Sequence, residues 1–380
     1  MYRRLILMTP GPTQVDPDVL LAMSMPVLNH VSSDFDSIHA ETLSMLGRVF
    51  NTKGEIIVLP GSGTSAMELA LRAGIKPGST VLVLKAGFFG DYLARGVEGI
   101  GGKPIIEASD VGYGFTPERV DELLDKHRDV DAIVLQHVET STSVANPIKD
   151  IARVAGKRGV TLIVDGVASV GGMELDVDGW GVDVVFTGSQ KALATPPGLG
   201  IVAFRSGFTP TTSNNSLYFD VGRLLREMKS TKNYFITPAT NMIYALNKSL
   251  KLILEEGLDN RFRRHKILAE AVRSSLKALD IELVAKEGFQ ADTVTAAYIP
   301  EGIEWPRLYA EMRARGIEIA GGLGELRGKI FRIGHMGQAD QNDVIATIAA
   351  LERSLQKLGW KISLGEGLKA LQEVFSKHNA

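Results

Sequence analysis

The 380-residue chain contains no cysteine, which excludes disulfide bonds, zinc–thiolate sites and cysteine nucleophiles together. An excess of charge of one sign is also lacking. The 42 Lys and Arg residues stand against 44 Asp and Glu residues, which leaves a formal net charge of −2. Proteins that bind nucleic acids present basic surfaces to the phosphates, so this balance argues against a nucleic-acid partner.

Long apolar runs are missing as well. The basic residues 3–4 precede a short apolar stretch that ends at residues 9–12, far short of a signal peptide. No apolar segment approaches the roughly 20 residues that a membrane-spanning helix needs. The last three residues match no targeting tripeptide. We therefore expect a cytoplasmic protein with no membrane partner, in which residues 1–20 form an N-terminal arm.

A chain of this length exceeds the size at which one hydrophobic core stops growing, so we expect a large domain and a smaller one. Between residues 55 and 205, apolar runs alternate with helical patterns, which predicts an α/β fold with a parallel sheet covered by helices. The runs that predict buried strands are residues 56–59, 81–84, 132–135, 162–164 and 182–186.

A long helical pattern over residues 239–280, broken at Gly257, indicates the connection into the second domain. Beyond it, short strand patterns mix with helices, and one of those strands carries Arg332. No linker rich in Gly, Pro or Ser marks the boundary. We predict a large domain over residues 21–250 and a smaller α+β domain over residues 251–380.

A glycine-rich turn at residues 61–66 follows the first predicted strand and opens a helix. Backbone N–H groups at such a helix end bind phosphate well. The spacing also fits the dinucleotide pattern G-x-G-x-x-A, which gives the alternative of an NAD(P)-dependent oxidoreductase. That alternative needs an acidic residue at the end of the next strand, where the sequence has residues 84–87 and no acid. A plain helix-capping turn would give the same pattern.

Asp165 and Lys191 each follow a predicted strand. Because the carboxyl ends of strands in an open parallel sheet form the ligand crevice, both side chains should reach one site. Alone, the aspartate would be a turn residue and the lysine a surface residue. Together they suit pyridoxal phosphate (PLP): the carboxylate keeps the pyridine nitrogen protonated, and the lysine, with its pKa lowered by partial burial, forms a Schiff base.

Residues 188–193 with Pro196, Pro197 and Gly198, and residues 164–169, resemble the lysine and aspartate motifs of class V aminotransferases. Within that family the chain is similar to the alanine–glyoxylate and serine–pyruvate aminotransferases. The resemblance extends from residues 9–12 to residues 331–334. It implies fold type I, PLP as cofactor, no metal, and ping-pong transfer of an amino group from serine or alanine to glyoxylate or pyruvate.

The resemblance also implies roles for other residues. Phe89 would stack on the cofactor ring, where the family commonly has tryptophan, although Phe88 could serve instead. The Thr140 hydroxyl would contact the cofactor. His137, in the same segment, should be structural, with its ring held by a local hydrogen bond. The residues implied to bind the cofactor phosphate are Ser62, Gly63, Thr64 and Gln190, with Tyr234 and Thr237 reaching it from the neighbouring subunit of a homodimer with shared sites.

Arg332 lies between apolar residues, where a charge is costly without a partner. Its planar fork matches a carboxylate, so it is a candidate clamp for the substrate, and the resemblance places it there together with Gly11. A structural ion pair within the small domain is the alternative.

Other reactions of the same structural class fit less well. Cysteine desulfurases need a cysteine nucleophile, which this chain lacks. Aldolases and hydroxymethyltransferases commonly stack a histidine on the ring, at the position of Phe89. Phosphoserine transaminases fit the broad fold, but the sequence shows no additional basic pair for a second phosphate. A transaminase that acts on small substrates is therefore preferred.

Overall fold

The computed structural model of the protein describes residues 5–212, 216–227 and 235–378. The strands of this part of the chain are β1 (Ile6–Leu7), β2 (Ile56–Pro60), β3 (Thr80–Lys85), β4 (Lys103–Ala108), β5 (Ala132–Gln136), β6 (Val138–Glu139), β7 (Val144–Ala145), β8 (Thr161–Asp165), β9 (Val184–Gly188), β10 (Leu199–Phe204), β11 (Val294–Tyr298), β12 (Ile317–Glu318), β13 (Ala320–Gly321) and β14 (Ile330–Gly334).

The helices of the described residues pack against these strands and against one another. They are α1 (Pro17–Met23), α2 (Ser33–Phe50), α3 (Gly63–Gly74), α4 (Phe88–Gly99), α5 (Pro117–Lys126), α6 (Ile148–Arg158), α7 (Val177–Trp180), α8 (Val221–Glu227), α9 (Thr240–Glu256), α10 (Leu258–Ala278), α11 (Trp305–Ala314), α12 (Gln341–Lys357) and α13 (Glu366–Lys377).

Seven strands form the central sheet in the spatial order β2-β10-β9-β8-β5-β3-β4. Only β10 runs antiparallel to its neighbours. The inner strands of the central sheet are almost continuous runs of buried Val, Ile and Leu, as expected for a sheet covered on both faces. The five strands predicted from apolar runs are confirmed, and β4 and β10 complete the sheet. The carboxyl ends of β2, β8 and β9 meet at one edge.

Two large apolar cores lie on either side of the connection between α9 and α10. One surrounds the central sheet, and the other joins residues of α10–α13 and β14 to Met8 of the N-terminal arm. The arm reaches this second core because β1 pairs in parallel with β12. The predicted helix break is confirmed at Gly257, whose φ is 83°. The predicted boundary after residue 250 falls inside α9 and stays a prediction.

Among the described residues, no helix combines the length and the apolar character needed to cross a bilayer.

Candidate active site

A cavity of about 230 Å³ lies where β2, β8 and β9 end. It brings together most of the residues that the sequence analysis selected. Those that line it are Gly11, Ser62, Gly63, Thr64, Phe89, Thr140, Asp165, Gln190 and Lys191, beside Met67, Tyr92, Val138, Val167 and Phe186. Thr237 is exposed and does not line this cavity, and Tyr234 lies outside the described residues. Their predicted contact with a neighbouring subunit stays a prediction.

The glycine turn both caps its helix and leaves donors free. Ser62 and Ser65 form a reciprocal capping box at the start of α3, with the Ser62 N–H 2.9 Å from Ser65 Oγ. The N–H groups of Gly63 and Thr64, the first two residues of α3, have no hydrogen-bond partner among the described residues. The turn is therefore a helix cap and also an open anion site at the edge of the cavity.

The N-terminal arm holds the Lys191 side chain in place. The Lys191 ammonium donates a hydrogen bond to the carbonyl of Pro10, and the hydroxyl of Thr13 donates to the Lys191 carbonyl at 2.9 Å. Gly11 leaves room for the lysine, because a Cβ at that position would lie 2.6 Å from Lys191 Cε and 2.8 Å from Nζ. Gly11 lies directly against the lysine and also lines the cavity, and its predicted contact with the substrate stays a prediction.

A buried arginine contacts the loop between β9 and β10, residues 189–198, which carries Lys191 and is called the lysine loop below. The Arg261 guanidinium, on α10, donates to the carbonyls of Ala192 at 2.7 Å and Gly171 at 2.8 Å, and pairs with Glu256 at 2.6 Å. Its side chain is almost completely buried. Sequence reasoning missed this residue because the charged helix that carries it reads as an ordinary surface helix.

Burial controls the ionisation of the two central groups. It lowers the pKa of Lys191 to about 8, and the positive charge of Arg332 acts in the same direction against the charges of Asp165 and Glu139. Burial likewise raises the pKa of Asp165 to about 7, although the carboxylate accepts the Val167 N–H at 2.8 Å. A cation placed against Asp165 would lower that pKa again, and a protonated pyridine nitrogen is such a cation.

Arg332, on β14, is buried without an acidic partner. Its Nε donates to the Gly321 carbonyl at 2.8 Å and its Nη1 to the Thr140 carbonyl at 3.1 Å. No carboxylate of the described residues forms an ion pair with it, so the predicted alternative of a structural ion pair is not observed. Burial lowers the pKa of Arg332 to about 10, and only the charge of Glu139 opposes this. A guanidinium in this state has donors available for a ligand carboxylate.

Two neighbouring phenylalanines, both candidates for stacking on the cofactor ring, line different cavities. Phe89 lines the cavity that contains Lys191, whereas Phe88 lines another cavity together with residues 323–326. Thr140 is buried and lines the cavity. The side-chain oxygen of Gln190 is buried and has no hydrogen-bond partner among the described residues.

The expectation that the His137 ring is held by a local hydrogen bond is wrong. Its Nδ1 is buried and has no partner within the part of the chain that the structure describes. The local hydrogen bonds are made by the backbone instead: the His137 N–H donates to the Asp165 carbonyl at 2.9 Å. Burial lowers the pKa of His137 to about 4, so the ring is neutral at physiological pH.

These groups fit PLP. The unpaired N–H groups and the amide of Gln190 could hold a phosphate, since a half-turn of the amide exchanges its oxygen and nitrogen. Asp165 would supply a carboxylate for the pyridine nitrogen, and Lys191 would supply an amine with a lowered pKa. A nicotinamide cofactor lacks its expected partner, since β3 ends at Lys85 instead of an acid.

Comparison with known proteins agrees with this chemistry. Residues 7–326 match the model of the class V aminotransferase family. The chain is 40% identical to an uncharacterised aminotransferase of Methanocaldococcus jannaschii over 98% of both chains. It is 32% identical to a serine–glyoxylate aminotransferase of Methylorubrum extorquens, over 96% of this chain and 94% of that one. A crystal structure of ureidoglycine–glyoxylate aminotransferase from Bacillus subtilis superposes with a TM-score of 0.93, at 33% identity and 99% coverage of both chains.

Fold and site therefore define a PLP-dependent transaminase of fold type I. The chain belongs to the class V aminotransferase family. The predicted fold class, cofactor and enzyme class are confirmed, and the NAD(P)-dependent alternative is not favoured.

Replacing Gly11 with Ala should displace the Lys191 amine, because the three atoms nearest to the new methyl group all belong to the far end of that flexible side chain. Turnover should fall by about 100-fold, as expected when a reacting group moves by about 1 Å. Gly78→Ala is the matched control, since Gly78 also has a positive φ, of 88°, but has nothing within 4 Å of the added Cβ. Equal turnover in the two variants would show that Gly11 does not position the lysine.

Proposed function

We propose that the protein transfers the amino group of a small amino acid, serine or alanine, to glyoxylate or pyruvate in two half-reactions at one site. One observation carries the proposal: the Arg332 guanidinium is buried, has no acidic partner among the described residues, and lies close enough to Lys191 to lower its pKa. A carboxylate substrate would supply the missing partner beside the reacting amine.

The cofactor would be held by groups from several strand ends. The phosphate would bind the N–H groups of Gly63 and Thr64, with the Ser62 hydroxyl and the Gln190 amide beside them. The ring would lie against Phe89 and near the Thr140 hydroxyl, with its nitrogen facing Asp165. When bound, PLP supplies an electron sink that stabilises negative charge on the substrate's α-carbon.

Lys191 would bind the cofactor covalently and, once displaced by the donor amine, carry a proton. A pKa of about 8 leaves a useful neutral fraction of the amine near physiological pH. Its Nζ would take the proton from the α-carbon of the donor and return it in the following step. Asp165 would keep a proton on the pyridine nitrogen by remaining negatively charged beside it.

The charges in the cavity favour amino-acid substrates whose side chain carries no acidic group. Among the described residues that line it, only Asp165 and Lys191 are ionisable at neutral pH, and Arg332 lies next to them. Within the part of the chain that the structure describes, this leaves no additional cation in the cavity for a second carboxylate or a phosphate, which favours serine or alanine over aspartate or phosphoserine. Relatives at 32% identity are named for serine, alanine and L-aspartate as donors, each with glyoxylate as acceptor.

The protein would work as a cytoplasmic homodimer with shared sites, in which Tyr234 and Thr237 reach the phosphate of the neighbouring subunit. Exposed apolar side chains support an interface: Leu21, Met25 and Val27 are 64%, 58% and 73% exposed in the single chain. Clustered apolar surface of this kind marks contacts between proteins. We keep the division into residues 21–250 and 251–380 as part of this proposal.

Turnover with paired substrates tests the proposed reaction. The PLP-loaded protein should convert L-serine or L-alanine with glyoxylate into glycine and the matching 2-oxo acid, and L-aspartate should be a poorer donor. Lys191→Ala should abolish this turnover, because the covalent attachment and the proton carrier are lost together. Borohydride reduction and peptide mapping of the unaltered protein should place the cofactor on Lys191. Label on Lys85, or turnover by the alanine variant, would refute the assignment.

Arg332→Lys keeps a positive charge but loses the two-pronged geometry, so KM for every carboxylate substrate should rise. A charged hydrogen bond contributes about 1.5–3 kcal/mol, which corresponds to roughly 10- to 150-fold in affinity. Donor and acceptor should be affected alike, and the absorbance of the bound cofactor should not change.

Arg273→Lys is the matched control for this variant, because Arg273 is a largely buried arginine that pairs with Asp292 away from the cavity. Unchanged KM values in Arg332→Lys, or loss of the cofactor instead, would make Arg332 a structural residue.

A further inference from the structure

The helix that carries Phe89 is capped from a distant part of the chain. Helix α4 begins after Gly87, which offers no side-chain cap. The N–H groups of its first two residues instead donate to side chains at least 50 residues away in the sequence. Phe88 N–H donates to Ser141 Oγ at 3.0 Å, and Phe89 N–H donates to Glu139 Oε2 at 3.0 Å. Most helices take such a cap from the residue just before them.

Glu139 is built into this position. Its side chain is fully buried, and its second oxygen, Oε1, accepts the Ser141 N–H at 2.8 Å and the Ser141 hydroxyl at 2.6 Å. A buried carboxylate is costly, and three donors together with the positive helix end offset part of that cost, although burial still raises the pKa of Glu139 above its ordinary value.

Gly87 completes the fit between the carboxylate and α4. A Cβ at Gly87 would lie 2.6 Å from Glu139 Cγ and 2.5 Å from Ser141 Oγ. Only glycine therefore lets the Glu139 side chain approach the start of the helix this closely.

The carboxylate acts on the cavity indirectly. Phe89 lines the cavity and Glu139 does not. The contact between them is made by the Phe89 backbone N–H. The carboxylate therefore fixes the position of the Phe89 backbone and leaves the ring free to face the cavity. The charge of Arg332 acts to lower the pKa of Glu139, and the charge of Glu139 in turn acts to raise the pKa of Asp165 and of Lys191.

We propose that Glu139 is a positioning residue that, by capping α4, sets the Phe89 ring against the cofactor. This rests on the proposed role of Phe89 in stacking. A carboxylate suits the task because both of its oxygens must accept. Glutamine has one acceptor and one donor, so either orientation of its amide places a donor against the N–H of Phe89 or against the donors of Ser141.

A double-mutant cycle on cofactor binding tests the proposal. The dissociation constant of PLP would be measured by equilibrium dialysis against cofactor-free protein, for Glu139→Gln, Phe89→Leu and the double variant. Glu139→Gln should weaken binding by about tenfold when Phe89 is present and by less than about threefold when Leu replaces it. Glu107→Gln is the control, because that carboxylate binds Lys126 at 2.6 Å away from the cavity and should leave binding unchanged.

Equal loss from Glu139→Gln in both backgrounds would overturn the proposal, because the carboxylate would then act without Phe89. If Glu139→Gln does not fold, Ser141→Ala in the same two backgrounds completes the cycle, with a smaller loss that should also vanish in the Leu background. Normal PLP binding by Phe89→Leu would remove the stacking role and this inference with it. Transamination would still stand or fall on Lys191 and Arg332.

Discussion

Two positive side chains, Lys191 and Arg332, are buried at the same edge of the central sheet, and the rest of the site is arranged around that constraint. Burial lowers the pKa of both, and the charge of Arg332 lowers the pKa of Lys191 further. Glu139 opposes the shift of both cations and Asp165 opposes that of Lys191, and neither carboxylate forms an ion pair with them among the described residues. Proteins seldom keep charges in this condition for stability alone, because a buried charge without a close partner is costly. The arrangement suits a site whose missing charges arrive with its cofactor and substrate.

Long-range contacts hold these charged groups in place. Thr13 contacts the lysine loop from 178 residues away in the sequence, and Arg261 contacts it from 69 residues away. Glu139 fixes the start of α4 from 50 residues away. Each contact joins a different part of the chain to a strand end of one sheet. The position of the Lys191 amine is therefore set by the whole fold, and a local change in the lysine loop alone would leave most of its supports intact.

This dependence explains what the sequence could and could not predict. Buried strands were predictable because their apolar runs are continuous, whereas β4 is a partly exposed edge strand with an irregular pattern. The placement of Asp165 and Lys191 in one cavity was predictable, because each residue belongs to a sequence motif that follows a buried strand. Glu139 and Arg261 were missed, since their roles depend on backbone groups that the fold brings to them. Gly11 was selected, but the reason for a glycine there is the path of the Lys191 side chain. The hydrogen bonding of His137 could not be predicted either, because no local sequence pattern shows whether a buried ring nitrogen finds a partner.

The pH dependence of covalent cofactor attachment tests most directly whether burial beside Arg332 controls Lys191. Cofactor-free protein would be mixed with PLP at a series of pH values and pulsed with borohydride, and the fraction of Lys191 that carries the cofactor would be read by peptide mapping. Because only the neutral amine reacts, attachment should rise with a midpoint near pH 8. Arg332→Gln removes a repelling charge, so its midpoint should move to higher pH. A midpoint near the ordinary lysine value of about 10.4, or no movement in Arg332→Gln, would contradict the view that these two buried cations govern the site.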